Sequence, residues 1–177
     1  YKNLEKIFKL INQMEKEGIL KDYAIGGAVA TIYYTEPFFT QDIDIFFIPL
    51  HTKKLIILTP FYDFLLKKGG KVYKEFILIN KIPVQFIPAS KDLEKEAIKN
   101  SLKVKFKNIE IKILKAEYLI AIFLDVFRPK DREKIIKLME QAKIDIKLLY
   151  SILKRYNLYE KFDDFKKKYY GEQSYKK

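Results

Sequence analysis

The stretch that decides the fold is Tyr23-Ala24-Ile25-Gly26-Gly27, followed after a short gap by Thr40-Gln41-Asp42-Ile43-Asp44-Ile45. A glycine pair closes one apolar strand, and two carboxylates stand one residue apart on the next. In a β-strand, side chains at i and i+2 point to the same face, so Asp42 and Asp44 lie side by side while the isoleucines enter the core. Adjacent carboxylates repel each other unless a cation neutralises them. The pair therefore predicts a hard divalent metal.

The glycine pair points to a second ligand. Gly26 and Gly27 come directly before a short helix over 28–34, and the free backbone N–H groups of a helix start suit a phosphate. The structural alternatives are a tight turn with close helix packing for the glycines, and strand-end acids paired with lysines for Asp42 and Asp44. A metal beside a phosphate cradle is the hypothesis that accounts for both motifs together.

Composition limits the class of protein. The chain has 177 residues, of which 49% are hydrophobic and 33% charged, as in one globular domain or a core with a helical appendage. It has no cysteine, which excludes disulfides and thiolate metal sites. No apolar run reaches the roughly 18 residues of a membrane helix and no signal-like segment precedes the first helix, so we expect no membrane contact and a cytoplasmic location.

The formal net charge of +12 suggests an anionic partner such as a nucleotide or RNA. A lysine-rich composition explains the same number, because the lysines are spread along the whole chain. Tyr169-Tyr170 with the neighbouring lysines 166–168 fits either an RNA contact or a solvated tail. Charge alone does not decide between these explanations.

Periodicity predicts an α+β fold. The α/β core spans 1–114, and the helical C-terminal part spans 115–177, the two forming one compact unit. Predicted helices cover 2–18, 28–34, 59–68, 92–101, 116–127, 129–142, 145–156 and 158–169. Predicted strands cover 22–25, 42–48, 72–79, 82–87, 103–106 and 109–113, with a hairpin at Asn80-Lys81. Residues 49–59 are ambiguous, and the single histidine, His51, is assigned to the surface.

Gly26-Gly27 followed by Asp42-x-Asp44 on an apolar strand resembles the nucleotidyltransferase superfamily of the DNA polymerase β type. Two later segments look like its AbiEii-like and uncharacterised single-domain branches, which include toxin and antitoxin enzymes. These segments are Pro83-Val84-Gln85-Phe86-Ile87-Pro88 and Arg128-Pro129-Lys130-Asp131. The resemblance covers roughly residues 1–165 and implies a mixed β-sheet flanked by helices.

The resemblance also implies the chemistry. Asp42 and Asp44 would hold Mg²⁺ as catalytic metal ligands, while Gly26 and Gly27 would bind the phosphates of an NTP such as ATP. Thr40 matches a hydroxyl residue that touches phosphate. An acceptor oxygen would then displace pyrophosphate. The expected acceptors are a tRNA 3′ end or a side-chain hydroxyl of a partner protein, as in toxin–antitoxin pairs.

The segment from Arg128 to Asp131 has two interpretations. In the functional one, Lys130 lies over the triphosphate or the acceptor as a catalytic residue, Asp131 orients it, and Arg128 binds the same anion. In the structural one, the segment is only a helix junction, with Asp131 in the first turn of the next helix.

Gln85 departs from the family pattern. The resemblance places a third carboxylate here, and a neutral amide neither takes a proton nor neutralises a metal. Three outcomes follow: a single-metal site, recruitment of Glu75 from the partner strand, or a domain that binds nucleotide without turnover. Glu75 faces the side of Gln85 only if the hairpin loop has three residues. Base selectivity, the acceptor and the oligomeric state are not predicted.

Overall fold

The structure is a computed structural model that describes residues 2–50 and 58–171. His51 and most of the ambiguous segment 49–59 lie outside the described residues. The chain divides into two compact units, Tyr1–Lys115 and Ala116–Lys177. In the ranges that the structure describes, no helix is both long and apolar enough to cross a membrane.

The first unit is a mixed seven-stranded sheet with helices. Its elements are α1 (Lys2–Lys16), β1 (Asp22–Ile25), α2 (Gly27–Tyr34), β2 (Ile43–Ile48), α3 (Thr59–Lys67), β3 (Lys71–Tyr73), β4 (Phe76–Ile79), β5 (Ile82–Pro88), α4 (Asp92–Lys99), β6 (Leu102–Phe106) and β7 (Ile109–Ile113). The strand order is β3-β4-β5-β2-β1-β7-β6. The α+β sheet expected from the sequence is confirmed.

The strand that carries the aspartates is central. β2 pairs antiparallel with β1 and parallel with β5. Ile43, Ile45 and Phe47 are buried, as expected for a strand with neighbours on both edges and helices packed on it. The start of β2 is held by β5, whose pairing begins at Ile43↔Val84, and pairing with β1 begins at Ile45.

One predicted strand, 72–79, is wrong in its extent. It is divided into β3 and β4 by a tight turn at Lys74-Glu75, where Lys74 adopts a φ of +53°. The next turn agrees with the prediction: Asn80 and Lys81 form a two-residue loop with φ values of +50° and +68°. Positive φ at both positions suits a type I′ hairpin. At α3, Leu58 is the N-cap and the helix begins at Thr59, where the predicted helix also begins.

The second unit contains α5 (Ala116–Val126), α6 (Pro129–Gln141), α7 (Ile146–Arg155) and α8 (Tyr159–Tyr170), close to the predicted bounds. α5 is apolar and largely buried, and it packs against α6 and α7. Its one buried carboxylate, Glu117, accepts a 2.7 Å hydrogen bond from the backbone N–H of Asp145. Asp145 in turn caps α7 by accepting from the N–H of Leu148. Glu117 therefore fixes where α7 begins.

Candidate active site

The turn between β1 and α2 is built around two glycines with different constraints. Gly26 is the N-cap of α2, and its N–H donates to the carbonyl of Asp44 at 2.9 Å. A Cβ on Gly26 would stand 2.5 Å from a ring carbon of Phe46. The tight packing proposed as the structural alternative is therefore present, and it holds the turn against β2.

Gly27 brings the turn and the carboxylates together. It has a φ of +56°, a conformation that suits glycine, and a Cβ built there would lie 2.0 Å from Oδ2 of Asp44. The carboxylate of Asp44 thus lies directly against the first residue of α2. The two motifs that the sequence predicts as metal ligand and phosphate cradle therefore lie against each other.

Asp42 lies just before β2 and, like Asp44, is half-buried. The two alternate with buried Ile43, which places them on the same side of the chain. Asp42 forms no ion pair with any residue in 2–50 or 58–171. The Oγ1 of Thr40 donates to the carbonyl of Asp42 at 3.3 Å, so Thr40 steadies the approach to β2. A phosphate contact by Thr40 stays a prediction.

Gln85 occupies the position beside Asp44. In the parallel pairing of β2 with β5, Asp44 is the register partner of Gln85, which is also half-buried. Within the described ranges, no group of three or more acids or histidines is placed to hold a metal. The position at which the resemblance places a third carboxylate is therefore filled by an amide, and the described residues offer two acids here.

Glu75 does not face the side of Gln85, because the hairpin loop lacks the three residues that this would require. The β4–β5 loop has two residues rather than three, and Glu75 lies exposed in the turn before β4. Extending the register from Ile77↔Val84 places Gln85 opposite Phe76. Glu75 is therefore out of phase with Gln85, because one residue along a strand reverses the face.

The donor set fits a metal that the nucleotide helps to hold. Mg²⁺ commonly takes one or two protein carboxylates and completes its octahedron with substrate phosphates and water. Asp42 and Asp44 match that requirement, and Mn²⁺ accepts the same oxygen donors. A fully protein-made cage would need more ligands than this site supplies.

In the second unit, Asp131 has partners other than the predicted one. It is fully buried at the third position of α6 and accepts from the backbone N–H and the Nε of Arg128, at 3.1 and 2.9 Å. Nζ of Lys134 lies 3.4 Å from its other oxygen. A carboxylate at this position bends back to the N-cap, whereas the preceding side chain, Lys130, projects outward and is exposed. Asp131 therefore orients Arg128 and Lys134, and a role for Lys130 at an anion stays a prediction.

Solved structures of other proteins share this fold. The chain is similar to an antigenic nucleotidyltransferase-like protein from Paracoccidioides brasiliensis, with a TM-score of 0.60 and 15% identity over 92% of this chain and 90% of that one. It is also similar to ANT(2")-Ia in complex with adenylyl-2"-tobramycin, with a TM-score of 0.57 and 16% identity over 88% of this chain and 99% of that one. No family model matches the chain, and no curated protein matches it. At such identities the comparison establishes the architecture: the chain has a nucleotidyltransferase-like α+β fold.

Proposed function

We propose that the protein is a Mg²⁺-dependent nucleotidyltransferase that moves a nucleoside monophosphate from an NTP to a macromolecular acceptor. The contact between Gly27 and the Asp44 carboxylate carries the proposal, because it puts a metal ligand at a helix start suited to phosphate. ATP is the first NTP to test. ANT(2")-Ia, which has the same architecture, was determined with an adenylylated compound.

The proposed reaction is a displacement at the α-phosphorus. An acceptor hydroxyl oxygen forms a bond to that phosphorus while the bond to the bridging oxygen breaks, and pyrophosphate leaves with the electron pair. The acceptor proton passes to solvent, since Gln85 cannot take it. When bound, Mg²⁺ supplies charge neutralisation at the phosphate oxygens.

Each site residue has a part in this proposal. Asp42 and Asp44 hold the metal, and the first N–H groups of α2, which have no partner within the helix, face the phosphate chain. Gly27 admits the Asp44 carboxylate next to them. Lys130 and Arg128 remain candidates for anion binding, Arg128 while its guanidinium is held by Asp131.

The acceptor is proposed to be a tRNA or a partner protein. Placement in the AbiEii-like branch, and with it a toxin–antitoxin or defence role, belongs to the same proposal. The net charge of +12 supports an anionic acceptor, because it raises the encounter rate with polyanions.

A second candidate function is that of a catalytically silent nucleotide- or partner-binding module. Its support is specific: Gln85 stands beside Asp44, and the described residues provide no third acid. A domain of this kind would convey to a partner that a nucleotide is bound, and it would not modify that partner. The nucleotidyltransferase and a silent nucleotide-binding module require the same Mg²⁺·NTP site, whereas a partner-binding module does not.

The test uses the full chain with each α-³²P-labelled NTP, Mg²⁺, bulk tRNA and cell protein. We expect label on RNA or protein, with none from the Asp42→Asn/Asp44→Asn variant. The matched control is Asp63→Asn/Asp92→Asn, which removes two exposed acids and the same charge. Nucleotide binding with no transfer would favour the silent module. Equal Mg²⁺·NTP affinity in both double variants would refute the site itself.

A further inference from the structure

The second unit holds two cations on one aromatic ring. The guanidinium carbon of Arg132, from α6, lies 4.6 Å from the centroid of the Phe127 ring, and Nζ of Lys161, from α8, lies 4.8 Å from it. Since these distances add to 9.4 Å, the two charges are no farther apart than that. They are therefore about a Debye length apart at most and repel each other.

Neither cation is neutralised by a carboxylate of the described residues. Across 2–50 and 58–171, Arg132 and Lys161 form no ion pair with a carboxylate, and Lys161 has only the backbone carbonyl of Asp125, at 3.4 Å. Nε of Arg132 is buried without a hydrogen-bond partner among the described residues. An orphaned donor of this kind calls for an explanation. Two half-buried positive charges with a spare donor are suited to a bound anion.

Phe127 begins a row of rings that reaches the surface. Its centroid is 6.0 Å from that of Phe165, which is 4.5 Å from that of Tyr169. Phe165 is buried, whereas Tyr169 is 38% exposed and carries a third cation, Lys168, at 5.9 Å from its centroid. We call these three rings with Arg132, Lys161 and Lys168 the cationic ladder.

We propose that the cationic ladder binds single-stranded RNA, with the three cations contacting backbone phosphates and Tyr169 stacking on a base. Binding of single strands combines a basic track with exposed aromatic faces. A free phosphate or a mononucleotide would be bound by the cations alone. An acidic protein would also be bound by the cations and would have no use for the exposed ring. The exposed end of the ladder therefore favours RNA.

Phe127 itself is held in an unusual backbone conformation. Its φ is +58°, in the left-handed region that bulky residues seldom adopt. Phe127 directly follows the end of α5, and its ring centroid lies 4.6 and 4.8 Å from the cationic groups of Arg132 and Lys161. Strained residues of this kind cluster at binding sites.

The test measures anisotropy of a labelled oligouridylate bound to the full chain without NTP, so the result does not depend on turnover. In Arg132→Gln/Lys161→Gln/Lys168→Gln we expect affinity to fall at least about tenfold, and the salt slope between about 50 and 200 mM to fall by about 2, as loss of three phosphate contacts implies. The control, Lys143→Gln/Lys147→Gln/Lys154→Gln, removes the same charge from exposed positions of the same unit and should change affinity less than about threefold. Equal losses in the two triple variants would overturn the proposal.

Single substitutions at exposed positions test the proposal in variants that are expected to fold normally. Tyr169→Leu should weaken binding about tenfold, while Tyr169→Phe should keep it, because the stacking face is preserved. Asp164, exposed one turn from Lys161 and Lys168, should repel RNA, so Asp164→Asn should tighten binding. Unchanged affinity in Tyr169→Leu would contradict the stacking role. Full displacement of RNA by equimolar ATP would assign the ladder to a mononucleotide and overturn the RNA proposal.

Discussion

Gly27→Ala tests the contact on which the proposed site depends. The added Cβ would lie 2.0 Å from Oδ2 of Asp44 and 2.9 Å from its Cγ. A Cβ atom is normally at least 3 Å from such an oxygen, so Oδ2 of Asp44 has to move by more than 1 Å. The φ of +56° adds a cost of about 1–2 kcal/mol for a residue with a Cβ.

We expect two separable effects. The stability loss of about 1–2 kcal/mol should lower Tm by roughly 2–8 °C in a chain of this length. Displacement of the Asp44 carboxylate should weaken Mg²⁺·NTP binding about 10- to 100-fold, the loss in metal affinity that is typical when a residue orienting a metal ligand is changed. Thermal unfolding and equilibrium dialysis with labelled NTP measure the two effects independently.

Gly18→Ala is the matched control. Gly18 has a φ of +72°, and a Cβ there would meet nothing within 4 Å, so this variant has the backbone cost without the contact. We expect a similar Tm loss with wild-type nucleotide affinity. If Gly27→Ala binds Mg²⁺·NTP as tightly as Gly18→Ala does, the inference that Asp44 is a metal ligand beside the turn is refuted.

Three further predictions follow from single positions. Gln85→Glu adds a carboxylate beside Asp44, so Tm should fall in EDTA and recover with Mg²⁺; a metal-independent Tm would contradict the adjacency. Asp131→Asn weakens a buried carboxylate's bonds to two cations and should cost about 2–3 kcal/mol in urea unfolding. Lys130→Gln should leave that stability unchanged. Burial raises the pKa of Tyr23, so the neutral phenol stabilises the fold fully below about pH 10, and that stabilisation is lost above it. Tyr23→Phe should accordingly flatten the alkaline fall of Tm, and an unchanged slope would rule this out.

Local pattern was enough to predict most elements of the first unit. β1 and β7 occupy the predicted residues because short apolar runs bounded by turn residues have few other ways to be buried. The division of 72–79 was not predictable in the same way. Residues 72–79 have the composition of a single continuous strand. No glycine, asparagine or proline marks the turn in which Lys74 takes a positive φ.

The site was predictable in outline but not in its contacts. The spacing of the glycine pair and the aspartates predicts that Gly27 and Asp44 lie close together. The contact of the Phe46 ring with Gly26, in contrast, depends on the register of β1 with β2. The partners of Asp131 depend on the turn geometry at the start of α6. The cationic ladder joins the α5–α6 junction to α8, more than thirty residues away, and a sequence carries no direct sign of such a contact.

Asp42→Asn separates a binding role from a structural one. Two carboxylates at i and i+2 stand about 6.6 Å apart along a strand, and their repulsion at that distance is about 0.6 kcal/mol even in a water-like dielectric. Since Asp42 has no ion pair in the described ranges, removing its charge should raise Tm by about 1–2 °C in EDTA. The same variant should lose the Tm increase that saturating Mg²⁺·NTP gives the wild type. A lower Tm in EDTA would show that Asp42 stabilises the fold, and the charge pair would then need no metal to explain it.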